Sequence, residues 1–207
     1  MSETLSSEKN QASQALRGAV AEIVRRISET LPDIREPIRM YIAGGIAVNF
    51  YTGYRATEDL DATFSRRLML PPANDLVVGY TDDQGQQQTI FLDMNDNPTF
   101  GLMHPDAEDD AIELLGEEFN NPKIQLYVLS PVDLAVSKIS RWEGNDQEDV
   151  AELAKRKLFT SKELELRANQ ALEYYVGSDR MVRLNLAEAV SKTNVLQKDR
   201  THGLSLR

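Results

Sequence analysis

Two aspartates, Asp59 and Asp61, stand two apart in residues 58–64 (EDLDATF). On a strand such residues project from one face, with Cα atoms roughly 6.5–7 Å apart. Both carboxylates then point one way while Leu60 turns to the other side. Like charges so placed are unfavourable unless they are solvated, protonated or bridged by a cation. Mg²⁺ suits the pair, because it takes one or two carboxylates and fills its other positions with water and phosphate oxygens. The plainer alternative is the polar face of an exposed strand. Upstream, Gly44 and Gly45 lie where a strand-like segment, residues 38–43, hands over to the apolar run 46–51. Glycines there let the backbone approach a bound group closely, and the free N–H groups of a helix start favour phosphate. A tight turn is the alternative. With D-L-D beginning fourteen residues after Gly45, the two features together make a two-part device. One part holds a triphosphate and the other its metal.

This arrangement, GG followed by T-x-D-L-D, resembles the signature of the polymerase-β-like nucleotidyltransferase superfamily. Downstream, Ser130, Asp133 and Lys138 read S-x-x-D-x-x-x-x-K, and Asp146 and Asp149 read D-x-x-D. These are similar to the third and fourth motifs of the AbiEii-like bacterial nucleotidyltransferases, a group that includes toxins of toxin–antitoxin pairs. The resemblance spans residues 41–153. It departs at Asp133, where the pattern has Glu, and at Asn145, where Lys or Arg usually precedes D-x-x-D.

The resemblance implies that Asp59 and Asp61 ligate Mg²⁺ and that an NTP is substrate. Lys138 would reach the triphosphate or stabilise charge on the transferring phosphoryl group, and Asp149 would face the site. The superfamily usually adds a third carboxylate from a neighbouring strand, as ligand or as base on the attacking hydroxyl. Asp93, which closes IFLD, is the candidate; a strand-terminating Asp in an Asp- and Asn-rich loop is its alternative. The implied reaction moves NMP from an NTP to a hydroxyl acceptor, an RNA 3′ end (tRNA being one case) or a protein, with an antitoxin protein as partner. A catalytically silent nucleotide-binding or regulatory module of an operon pair is the competing function.

Other residues near the motifs admit plainer roles. Thr57 could hydrogen-bond the glycine turn, and Arg55 could pair with an aspartate or a phosphate. Lys138 could be a snorkelling surface lysine. Trp142 and the pair Tyr174 and Tyr175 read as core, and His104 has no partners for a triad.

The elements that must position these residues follow from periodicity. Leu16, Val20, Ile23 and Ile27 mark one face of a helix over residues 12–31, stopped by Pro32. Strands are expected over 38–43, 58–64 and 124–129, and a hairpin from 76–81 and 89–93 around DDQGQ. Residues 106–118 form a short acidic helix in this scheme. Ser130 as N-cap and Pro131 at the first position open a helix to about Trp142. Helical patterns follow at 147–157, 161–176 and 180–195. The fold class is α+β: a nucleotidyltransferase-like mixed sheet flanked by helices, with a helical C-terminal region. The expected division is a disordered N-terminus over 1–10, an α+β core over 11–145 and the helical region over 146–207.

Composition sets the outer limits. The 207 residues include no Cys and two His, which removes disulfides, thiolate zinc sites and Cys nucleophiles. No apolar run reaches the roughly 18 residues a spanning helix needs, and the start of the chain is polar rather than signal-like, so a soluble, cytoplasmic protein without membrane contact is expected. The net charge of −10 is uneven: residues 106–154 hold 3 bases against 13 acids, and residues 155–207 hold 11 against 6. The basic stretch, with Lys155, Arg156, Lys157, Arg167, Arg180, Arg183 and Lys192, is where an RNA backbone could dock.

Overall fold

The sharpest local instruction in the chain is the one around Gly44. Residues 38–42 are apolar except Arg39 and form a strand, β2 (Ile38–Ile42), with every side chain but that of Arg39 buried. The run GGIAVNFYT then winds into helix α2 (Gly44–Thr52), in which residues 46–52 are all buried. It ends at Gly53, whose φ of 59° is the left-handed cap that glycine tolerates best. The computed structural model describes residues 4–5, 11–55, 57–93 and 101–202, with side chains over 11–55, 57–93 and 101–198.

The chain divides into two units. The sheet unit is Met1–Asp96 with Ala111–Leu129, and the helical unit is Asn97–Asp110 with Ser130–Arg207. In the sheet unit, β1 (Thr4–Leu5), β3 (Asp59–Phe64), β4 (Val77–Thr81), β5 (Gln87–Asp93), β6 (Ile112–Leu114) and β7 (Ile124–Val128) join β2 in one mixed sheet, in the order β1-β6-β7-β2-β3-β5-β4. β2 runs parallel to β7 and antiparallel to β3, and β3 runs parallel to β5. Helix α1 (Gln14–Thr30) starts on Ser13, whose Oγ accepts the Leu16 N–H at 3.2 Å. Its buried face, Leu16, Ala19, Val20, Ile23, Val24 and Ile27, packs on β4 and β5. Ile23, Ile27, Met40, Ile42, Phe50, Leu60, Ile90 and Ile124 form the driest part of this core. Each such side chain is worth about 1.5–3 kcal/mol in removal from water.

The helical unit consists of α3 (Pro131–Ile139), α4 (Gly144–Lys155), α5 (Ser161–Leu172) and α6 (Arg180–His202). Ser130 caps α3 by accepting the Asp133 N–H at 3.2 Å, with Pro131 at the first turn, as its sequence implies. Leu134, Val136 and Ile139 are fully buried, and α3 packs against α4, α5 and α6.

The mixed sheet flanked by helices agrees with the α+β expectation. The expected acidic helix over 106–118 does not form. Turns fill 105–110, β6 covers Ile112–Leu114, and a short 3₁₀ turn covers Glu117–Phe119. A helix would have stacked like charges at i, i+3 and i+4. Ile112 and Leu114 alternate with Glu113, and a strand buries both at once. Tyr174 and Tyr175 also fall outside a helix: α5 stops at Leu172, and Tyr174 is 67% exposed rather than core. Of the stretch expected to be frayed, the backbone of Thr4–Leu5 pairs in parallel with Glu113 and Leu114, and the remainder lies outside the described residues. The sequence reads residues 95–105 as a loop, of which 95–100 lie outside the described residues as well.

Candidate active site

Asp59, Leu60 and Asp61 open β3 with exposed, buried and half-buried side chains in turn, so the carboxylates share a face and Leu60 fills the core. The register with parallel β5 pairs Asp59 with Phe91 and Asp61 with Asp93. Register partners in neighbouring strands project to the same side. Asp93 therefore joins Asp59 and Asp61 on one face of the sheet, itself half-buried.

The glycine turn lies against this face. Gly44 has φ +65°, and a Cβ added there would overlap the Asp61 carboxylate. Gly45 is close to the strand approach in the same way: a Cβ would come 2.5 Å from Thr57 Cγ2 and 3.0 Å from Thr57 Oγ1. The Ala43 N–H donates to the Asp61 carbonyl at 2.9 Å, which ties the end of β2 to the middle of β3. Ala43 at the N-cap has no capping side chain, and no acid stands in the helix's own first turn. That end therefore presents backbone N–H groups, with the positive pole of the helix, beside a carboxylate face.

The donor set fits a hard cation. Carboxylate oxygens on one sheet face and a side-chain-free cradle at Gly44 suit Mg²⁺ with phosphate oxygens as co-ligands. Among the described residues, no three Asp, Glu or His side chains are gathered tightly enough to form a metal cluster by themselves. Two protein carboxylates with a polyphosphate do not require one.

Arg55 follows α2 and its Gly53 cap, two residues before Thr57. Asn49 Nδ2 donates to the carbonyls of Tyr54 and Arg55, at 2.5 and 3.0 Å, and so shapes the turn that leads back toward Thr57. Sequence reasoning passed over Asn49. Its signal was an amide inside an otherwise apolar helical run.

Lys138, Asp146 and Asp149 come together in the helical unit. Lys138 is 7% exposed, so it is no snorkelling surface lysine. Its ammonium lies 2.8 Å from Asp149 Oδ2 and 3.6 Å from Asp146 Oδ1. Asp146 accepts two hydrogen bonds from Arg141 and one from the Glu143 N–H. Burial pushes the Asp146 carboxyl up, but these hydrogen bonds and the Lys138 and Arg141 charges hold it below the ordinary carboxylate range. Trp142 is buried as expected, with φ 54° and its indole N–H on Glu188. His104 is also buried, and its Nδ1 accepts the Asp106 N–H.

Asp133, the acidic member of the S-x-x-D motif, is fully buried against Arg167 Nε at 2.7 Å and Nη2 at 3.0 Å. Arg167 also reaches Asp110 at 2.7 Å. This removes Arg167 from the set of cations offered to a nucleic acid.

A family model described as "Nucleotidyltransferase of unknown function (DUF6036)" matches residues 19–194. The chain belongs to this nucleotidyltransferase family. No curated protein and no solved structure matches it. The match covers both units, so this nucleotidyltransferase includes the glycine turn, D-L-D, Asp93 and the Lys138 cluster within the family's extent. Among the described residues no helix is long and apolar enough to cross a membrane.

Proposed function

We propose that the protein is a Mg²⁺-dependent enzyme that transfers NMP from an NTP to a hydroxyl acceptor, an RNA 3′ end or a protein side chain, breaking the α–β phosphoanhydride bond and releasing pyrophosphate. The observation that carries this is the packing of the Asp61 carboxylate onto Gly44, which sets a phosphate-ready helix start beside a carboxylate-bearing strand. Asp59 and Asp61 would hold Mg²⁺, which when bound would neutralise the triphosphate and acidify the attacking hydroxyl. The N–H groups at Gly44 and Gly45 orient phosphate oxygens. Thr57, packed on Gly45, keeps the turn at its distance from β3. Asp93 either completes the ligand set or takes the acceptor's proton. In the helical unit Lys138 forms an ion pair with Asp149, whose carboxylate fixes the position of the ammonium. A toxin role, with an antitoxin partner, rests on the motif resemblance; growth arrest on expression, relieved by an adjacent gene, is its test.

Transfer from α-³²P-labelled NTPs to total RNA and protein tests the reaction. The D59A/D61A double variant should give no labelled product. Labelled product at the wild-type level in that variant would remove these carboxylates from the chemistry.

A further inference from the structure

The sheet unit carries a pocket of about 600 Å³ at the end of α2 away from Gly44. Gly44, Gly45, Asp59, Asp61 and Asp93 are not among its described lining residues, so this pocket is distinct from the carboxylate face. Its wall is polar. Tyr54 and Arg55 come from the turn after α2, Tyr80 from β4, and Gln84 and Gln88 from the β4–β5 hairpin. Asn49 lines it from within α2; it is 6% exposed, and its Oδ1 has no hydrogen-bond partner. Leu16 is the single aliphatic side chain of the described lining.

The carboxylates of this wall are not alike. Asp82 serves its own turn, accepting the Gln84 and Gln86 N–H groups and Gln88 Nε2 at 3.0, 2.8 and 2.9 Å. Asp83 is exposed and also lines the pocket. Burial and the Asp82 charge raise the Tyr80 hydroxyl's pKa.

An apolar ligand finds no wall here, and a peptide finds one aliphatic contact. A nucleotide finds each of its parts matched. Phenol rings offer faces to a planar base. The Gln84 carboxamide carries a donor and an acceptor on one group, which complements a base edge, adenine above all. The Arg55 guanidinium suits a phosphate, and Asp83 accepts from ribose hydroxyls. We propose that this pocket is a second nucleotide site, binding a nucleoside monophosphate unit that is either free or part of single-stranded RNA. Its occupancy does not depend on the transfer reaction.

The test is binding to the full chain without Mg²⁺ or NTP, using fluorescein-labelled decaadenylate by anisotropy and AMP by calorimetry. At least one probe binds saturably. Tyr54→Ala and Tyr80→Ala each weaken it about tenfold, the effect of losing one base–aromatic stack. D59A/D61A leaves binding unchanged while transfer is lost, which separates this site from the catalytic reading. Binding of RNA alone assigns the pocket to an RNA strand, and AMP binding that competes with RNA assigns it to the nucleotide unit itself. Gln84→Glu, at the exposed hairpin, places a charge beside the ligand without touching the core and should weaken binding about fivefold. The proposal is overturned if neither probe binds the wild type, or if Gln84→Glu and whichever tyrosine variants fold bind as the wild type does.

Discussion

Gly44 is the residue on which the candidate site turns. Its positive φ costs an L side chain about 1–2 kcal/mol, and a Cβ would also displace the Asp61 carboxylate. Gly44→Ala should therefore lower stability by at least about 1–2 kcal/mol in urea titration. A misplacement near 1 Å can cost roughly 100-fold in rate, so transfer should fall by that order. Gly45→Ala meets a different obstacle, the Thr57 methyl at 2.5 Å. Thr57→Ser removes that methyl, so the double variant G45A/T57S should regain part of the stability lost in G45A. Strict additivity of the two changes would show that the contact carries no coupling. D-L-D and the glycines were legible in the sequence because a strand's period of two and a strand-to-helix junction are local. The approach of Asp61 to Gly44 was not, since it depends on the register of β3 against β2, where Ile42 pairs with Ala62.

Among the elements, α3 and α4 are held by charges the sequence could not pair. Asp133 and Arg167 are 34 residues apart and meet because α5 packs on α3. Removing one partner of a buried ion pair costs about 3–5 kcal/mol, because the other charge is left stranded. Arg167→Met should lower the helical unit's stability by about that much, and a compensating Asp133→Leu in the same chain should recover most of it. Circular dichroism during urea unfolding measures both. The acidic run 106–118 shows the opposite limit. Its charge density suggested a solvated helix, yet burial of Ile112 and Leu114 outweighed helical propensity. The Asp146 cluster adds a pH dependence. Its folded pKa lies below the unfolded value of about 3.9, so its contribution is complete above that value and is lost as pH falls through the folded one. Stability of the helical unit should drop below about pH 4, and Arg141→Met should flatten that acid limb. An Arg141→Met variant with an unchanged acid limb would show that another carboxylate governs it.

At the scale of the whole molecule, the basic C-terminal quarter proves less available than its 11 cations suggest. Arg167 is paired with the buried Asp133, Lys155 meets Glu152 at 2.6 Å, Arg183 meets Asp179 at 2.6 Å, and Lys192 meets Glu188 at 2.5 Å. The last three pairs are exposed helix-surface or cap contacts, individually worth little. They nevertheless supply local carboxylates that a phosphate backbone would have to displace, in a protein of net charge −10. RNA held in the pocket of Tyr54 and Tyr80 would be held mainly by stacking and hydrogen bonds, with Arg55 as the cation of the described lining. Counterion release from single strands contributes a slope of about −0.7 in log K against log salt for each phosphate neutralised. If Arg55 supplies the principal contact, decaadenylate binding between low and physiological salt should show a slope near −0.7 and no steeper than about −1.4. A slope of about −3 or beyond would require four or more phosphates. That outcome would return the binding surface to Arg156, Lys157 and Arg180, and Tyr54→Ala should then leave the slope unchanged.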